Sequence, residues 1–402
     1  MARSQKQAMA VSLLLCLAIL GGPLAGAAFA GPQFKFGTDN VGMLQLDYKG
    51  QFQMVMRSNG SEADDDGDTA EFNFRRNRLA LMGKYGDLLE IYVQSEFQEN
   101  QDITALGVSD SASGSDFTLL DAVIRFNFSN AFHLNVGKFK YSLSRENLEA
   151  CEMPLTLDRS LFIRAPYTTT RDKGVAVWGN LLEDRFQYRF DIMNGRTATT
   201  ENGPEPESDF RYTGRVHVTL LDPENTYGYK GTYLGERQVL TLGASYQYEP
   251  GVAYSDAVAM TGKSDYKGWT ADLFFEYPLD AIGTITFSAA YEDIDLDETY
   301  KGSNPDPDAI GINGEKNGYY MKAGYMLPAL PLQFFARYEK WEFASLNDIY
   351  DQEVNWYGLG ANYYIWGQKL KVTAEYSRTD FDKEDANSKN FNTFVTQLQL
   401  IF

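Results

Sequence analysis

A two-residue period recurs along this chain and constrains its fold more than any other feature. In "LQLDYKGQFQMVM", Leu44, Leu46, Tyr48, Phe52, Met54 and Met56 share one face, while Gln45, Asp47, Lys49, Gln51 and Gln53 share the other. Successive side chains alternate across a β-strand, so such a run reads as a strand with one apolar and one polar face. "LEIYVQSEF", "LDAVIRFNF" and "RFQYRFDI" repeat the pattern, as do "LTLGASYQY", "WTADLFFEY", "TITFSAAYE", "LQFFARYEK", "WYGLGANYY" and "KVTAEYSR". About 16 such segments start near residues 41, 72, 88, 117, 132, 173, 185, 209, 238, 266, 283, 317, 332, 354, 369 and 391.

Their links alternate. "KYGD", "SNA", "LLED", "PLDA", "LPALP" and "IWGQK" are tight; between them lie long polar stretches such as "SNGSEADDDGDTAE" and "NGRTATTENGPEPESD". Two architectures bury one face of each strand. A soluble sandwich buries the apolar face, whereas a transmembrane barrel turns it to lipid and its polar face to a wet lumen. Segment length matches a tilted crossing of about 9–11 residues. Aromatic residues at the segment ends suit interface girdles, and a single sandwich of this size is oversized. The expectation is an all-β, transmembrane, antiparallel β-barrel of about 16 strands. Lipid cannot satisfy a free sheet edge, so the last strand pairs with the first. A barrel of that size leaves an aqueous lumen.

The two ends of the chain support that reading. Residues 1–30 carry Arg3 and Lys6, the apolar run "MAVSLLLCLAILGG", and "AAFA" before Gly31, the pattern of a cleaved secretory signal peptide. The barrel domain is then 31–402. The chain has a formal net charge of −19, and the leader contributes two basic residues and no acids, so the remainder is more acidic still. Such acidity argues against a nucleic-acid partner. One cysteine, Cys151, remains after the leader, leaving no internal disulfide. At the other end, "FVTQLQLIF" puts Phe394, Leu398, Leu400 and Phe402 on a lipid face and Gln397 and Gln399 on the lumen.

Three stretches resemble the phosphate-selective porin O/P family. "FRRNRLALMGKYGD" (74–87) is similar to its second strand. "LNVGKFKYSLSRENLEA" followed by "LDRSLFIRAPYTTTRDKGVAVWGN" (134–180) resembles its central block. The C-terminal strand ending in Phe402 is similar to outer-membrane barrels generally. The resemblance implies a 16-stranded, trimeric outer-membrane porin of a Gram-negative bacterium, with a lumen arginine ladder that selects anions. It further implies that Phe402 is the signal read by the barrel-assembly machinery. Lipid and lipopolysaccharide would surround such a barrel.

The basic residues nominate the site. The 138–173 loop holds Lys138, Lys140, Arg145, Arg159, Arg164, Arg171 and Lys173 against Glu146, Glu149, Glu152, Asp158 and Asp172. Folded into the lumen, it would narrow the pore and favour anions; with its charges paired, it would shape the pore without selecting. Strand parity places Arg76, Arg78, Arg125, Arg189, Arg211, Arg215 and Arg337 on the lumen wall, with Lys369 and Lys371. Asp121, Asp191, Asp272, Glu276, Glu292, Glu339 and Glu375 share that side and could balance them. Arg75 has lipid parity and is expected at a rim.

No cofactor or metal is expected. "DDDGD" fails the EF-hand spacing, since the twelfth position from Asp64 is Arg75. The sequence has only two histidines, His133 and His217, and lacks a nucleophile elbow or a phosphate-cradling loop, so it is not read as an enzyme. His133, after a tight turn, reads as interfacial. The expected function is a water-filled channel for passive diffusion of small hydrophilic solutes, anions such as phosphate first among them. Alternatives are a non-specific or cation-preferring porin, a structural or adhesion barrel, and a barrel sheathing an electron-transfer partner.

Overall fold

The computed structural model describes residues 31–61, 67–97, 101–104, 107–110, 117–160, 170–195, 209–256, 259–296, 316–343, 352–384 and 389–402. Residues 1–30, on which the expected leader falls, Arg164 with residues 161–169, and parts of the long acidic loops lie outside the described residues.

Sixteen strands close into one antiparallel barrel. The first eight are β1 (Gly42–Ser61), β2 (Gly67–Tyr85), β3 (Leu89–Glu96), β4 (Thr118–Ser129), β5 (Phe132–Lys140), β6 (Arg171–Leu181), β7 (Phe186–Met193) and β8 (Arg211–Thr219). The rest are β9 (Val239–Asp256), β10 (Thr261–Pro278), β11 (Thr284–Asp295), β12 (Lys316–Met326), β13 (Leu332–Phe343), β14 (Gln352–Tyr364), β15 (Leu370–Phe381) and β16 (Phe391–Ile401). Each strand pairs with its sequence neighbours, and β16 pairs with β1. Gln33–Phe36 adds a short strand against the start of β1.

The closing seam explains the C-terminal pattern. Gln51 donates to Gln399 at 2.6 Å and Gln53 to Gln397 at 2.8 Å, all four buried on the inner side. Tyr48 and Phe402 exchange backbone hydrogen bonds at 2.7 and 2.8 Å. Phe52, Leu400 and Phe402 stay exposed on the outer side. The alternation thus serves two solvents, and the backbone pairing from Thr393–Arg57 to Ile401–Lys49 leaves lipid no free sheet edge there.

One register break matters for the site. Gln51 faces Arg76 across β1–β2, but Phe52 faces Phe74, so Arg75 is the extra residue of a β-bulge. Arg75 is therefore not on the lipid side: its side chain is buried and bonds Asp158 inside the barrel at 2.7 Å. The expectation of a rim position failed because parity does not carry across a bulge.

The links are also less regular than expected. Tight turns at one end, here the turn end, join most strand pairs and lie beside the chain's Phe402. The link 220–238 between β8 and β9 emerges at that same end yet is long, and it folds into the lumen. The link after β5 enters from the opposite, loop end and carries a single helical turn, α1 (Arg145–Leu148), capped by the Ser144 hydroxyl accepting from the Asn147 amide at 3.1 Å. The two inward segments meet. Ala150 donates to the Tyr229 carbonyl at 2.9 Å, Tyr229 to Leu148 at 3.4 Å, and Gly231 to Met153 at 2.9 Å. A Cβ on Gly231 would stand 2.5 Å from the Leu155 nitrogen, so this docking needs glycine. Part of the lumen is filled by an apolar cluster that includes Phe139, Tyr141, Leu143, Tyr266 and Leu296.

Candidate functional site

The constriction loop crosses the barrel from β5 and is tied to the far wall strand by strand. Glu146 pairs with Lys322 of β12 at 2.5 Å, and Ser160 donates to Glu339 of β13 at 2.8 Å. Asn362 of β14 donates to the Leu155 carbonyl at 2.8 Å, and Glu375 of β15 accepts from the Leu157 amide at 3.1 Å. Gln399 of β16 donates to the Glu152 carbonyl at 2.9 Å, and Lys49 of β1 pairs with the Glu152 carboxylate. Arg75 and Arg76 of β2 both reach Asp158. Burial would raise the Asp158 carboxyl, but the two guanidiniums hold it well below the usual carboxylate range.

The 220–238 segment holds the loop from the other side. Arg145 and Glu224 form a fork-to-fork pair at 2.8 and 2.7 Å, with Arg145 also stacked over Tyr229 and Phe274. Burial raises the Glu224 carboxyl, and Arg145 more than reverses this, leaving it at about 2. Glu149, buried beside Glu146, is pushed up to about 8.

These segments leave open space along β3–β6. A cavity of about 450 Å³ lies between loop residues 148–152, residues 225–228 and the wall. Its charged lining consists of Lys49, Glu90, Asp121, Arg125, Lys140, Glu152 and Arg171. Three basic groups there are matched: Lys49 with Glu152, Arg125 with Glu90, and Arg171 with Asp121 at 2.9 Å. Lys140 donates to the Glu149 carbonyl at 2.5 Å and has no carboxylate partner among the described residues. Cys151 also lines this cavity as a free thiol. Burial pushes its thiol up, but Arg159, Lys140, Arg78 and Arg76 outweigh that and hold it well below the usual range.

The basic residues singled out from the sequence therefore fall into distinct groups. Lys140, Arg125 and Arg171 line this cavity. Arg211 with Glu249 (2.6 Å), Arg215 with Asp272 (2.6 Å), Arg78 with Glu96 (2.7 Å), and Arg337 with Glu339 point inward but are buried in ion pairs. Arg337 also stacks on Trp356 at 3.6 Å. Arg189 is held by the Tyr229 hydroxyl and the Tyr227 carbonyl, both at 2.9 Å, and Arg159 by the Glu146 and Asn147 carbonyls at 3.1 and 3.4 Å. Lys371 donates to Gln368 at 3.1 Å, and Lys369 lines a second cavity at the turn end with Phe402.

Lys138 and Lys173 are corrections. They face each other across β5–β6 on the parity of the exposed Val136 and Val175, outside the lumen, and Lys138 donates to the Leu119 carbonyl at 2.7 Å. The loop leaves the wall only after Lys140, so both stay in the strands. His133 is stacked on Trp178 at 4.0 Å, so it belongs to the inner side of the wall. Lys322 and Glu224, which clamp the loop, went unnoticed in the sequence. Lys322 lies on the polar parity of β12, and Glu224 sits in the 220–238 link, which carries no strand period.

A closed 16-strand barrel narrowed by an inward loop defines an outer-membrane porin. The chain belongs to the phosphate-selective porin O and P family, whose profile matches residues 46–402. It is 24% identical over 297 residues to an uncharacterized protein of Aquifex aeolicus (strain VF5); the match takes in 69% of this chain. The chain spans 66%, just under two thirds, of that relative's length. The fold is shared with the outer-membrane channel DcaP of Acinetobacter baumannii, with a TM-score of 0.58, 15% identity, and coverage of 93% of this chain and 100% of that one. It is also shared with an anion-selective porin from Comamonas acidovorans, with a TM-score of 0.56, 10% identity, and coverage of 90% and 100%. The turn end, where Phe402 lies, is then the periplasmic end.

Proposed function

We propose that this outer-membrane channel passes small hydrophilic solutes by passive diffusion, with a modest preference for anions such as phosphate. One observation carries the preference: Lys140 projects into the passage without a carboxylate, while its basic neighbours are matched one for one. A basic group without a carboxylate partner in a narrow, low-dielectric passage biases permeation towards anions. The inward loop counts against a sheath around an electron-transfer partner, which needs an open bore. The matched pairs in the passage favour a second reading, a weakly selective general porin.

The same proposal includes export through the leader at 1–30, recognition of Phe402 by the barrel-assembly machinery, a lipopolysaccharide surround, and a homotrimer as the family resemblance implies. Planar-bilayer recording under a salt gradient tests the reading. An anion-directed reversal potential that moves towards cations in Lys140→Glu supports it. A cation-directed wild-type potential removes the anion preference and leaves the channel, and absence of conductance removes the channel.

A further inference from the structure

Two buried polar atoms in the passage are unused. Asn135 on β5 faces Ala176 on β6, which places Trp178 diagonally beside it on the inner side. Asn135 is 1% exposed and Trp178 6% exposed, and both line the 450 Å³ cavity. Among the described residues, Asn135 Oδ1 and Trp178 Nε1 have no hydrogen-bond partner. Buried polar atoms in native proteins are normally satisfied, so an acceptor and a donor on adjacent strands, both lining one cavity, fit a group that does both. A hydroxyl is such a group: its oxygen accepts from the indole N–H while its proton goes to the amide oxygen.

The rest of the cavity defines what carries that hydroxyl. Tyr92, Phe139, Trp178 and Tyr227 supply aromatic wall, and Lys140 supplies the cation without a carboxylate. The volume suits a molecule of one ring. We propose that the passage contains a subsite for hydroxylated aromatic monocarboxylates, with the carboxylate at Lys140 and the hydroxyl between Trp178 and Asn135. This rests on the reading of the cavity as the solute passage, and it names a solute class for it.

Isothermal titration of the detergent-solubilised full chain tests the subsite without relying on conductance. The probes are 4-hydroxybenzoate and benzoate, which differ only in the hydroxyl. Wild type should bind 4-hydroxybenzoate about tenfold more tightly, the worth of one or two net hydrogen bonds. In Trp178→Phe and in Asn135→Leu that ratio should fall towards one, while Lys140→Met should weaken both ligands. Heat-modifiable gel mobility checks that each variant is folded. Equal binding of the two probes by wild type, no binding of either, or a ratio that survives in both folded variants overturns the subsite. If bilayer recordings still show anion preference, the subsite falls alone; if titration shows the hydroxyl effect in a chain that does not conduct, the channel reading falls alone.

Discussion

Arg76 on the barrel wall and Asp158 in the constriction loop, far apart in sequence, are joined by two hydrogen bonds at 2.9 and 3.1 Å, with Arg76 buried and Asp158 half-buried. Arg75, turned inward by the bulge, completes the clamp on the same carboxylate. Two guanidiniums on one carboxylate leave a surplus positive charge. Asp158→Asn should strip both arginines of this carboxylate. Removing one partner of a buried pair costs about 3–5 kcal/mol, so the thermal unfolding midpoint should fall. Open-channel current should become noisier as the loop loosens, and the reversal potential should move further towards anions. A variant with wild-type melting and wild-type noise would show that the loop is held by its other ties alone.

The Arg145–Glu224 pair joins the loop that enters from outside to the segment that enters from the periplasmic side. Its pH dependence follows from the carboxyl. Glu224 is held at about 2 in the folded chain, against 4.5 ordinarily. A depressed carboxyl stabilises the fold fully above the ordinary value, and that stability is lost as pH falls from about 4.5 towards 2. Glu224→Gln should melt lower than wild type at neutral pH, and the difference should shrink across that acid window. Melting curves at pH 7, 4 and 2.5 check this; a constant difference at all three would refute the linkage.

The buried ladder should be electrically quiet. Arg215 and Asp272 are both fully buried and bonded at 2.6 and 2.9 Å, so their charges cancel where no solute passes. Replacing a buried pair with apolar residues is often neutral or stabilising, whereas breaking it costs about 3–5 kcal/mol. Arg215→Met alone should destabilise the barrel. Arg215→Met combined with Asp272→Leu should recover most of that loss and leave the reversal potential unchanged. A shift in selectivity in the double variant would put this pair on the permeation path.

The strands, their faces and the closure of β16 on β1 were legible because the two-residue period is a property of the backbone itself. The bulge left a trace too: outward parity is even at Phe72 and Phe74 but odd at Leu79 and Leu81, which requires one extra residue between them. The 220–238 segment was signalled only by a long link where short and long alternate, with Tyr227, Tyr229 and Tyr233 set among glycines. Parity told which side chains point inward and could not tell which of them face water. That depends on pairs such as Lys322–Glu146, formed between residues distant in sequence and brought together only by the inward loop. Hence an inward arginine ladder and the acids able to balance it were readable, and the particular pairs they form were not.

Glu149 makes the constriction sensitive to mild alkali. Burial and the neighbouring Glu146 push its carboxyl up to about 8, with Lys322, Arg145 and Arg159 pulling the other way. At neutral pH it is mostly protonated, so the loop carries one negative charge fewer than its sequence indicates. Because its folded value lies above the ordinary 4.5, the unfolded chain ionises first, and the group costs stability increasingly from about pH 4.5 to 8. Its ionisation adds a negative charge to the constriction loop, among Lys322, Arg145 and Arg159. The anion-to-cation permeability ratio should therefore drop between pH 7 and 9. Glu149→Gln should remove that step and keep the neutral-pH ratio at higher pH. Reversal potentials at pH 6, 7, 8 and 9 for the two proteins decide it, and a step of equal size in Glu149→Gln would assign the titration to another group.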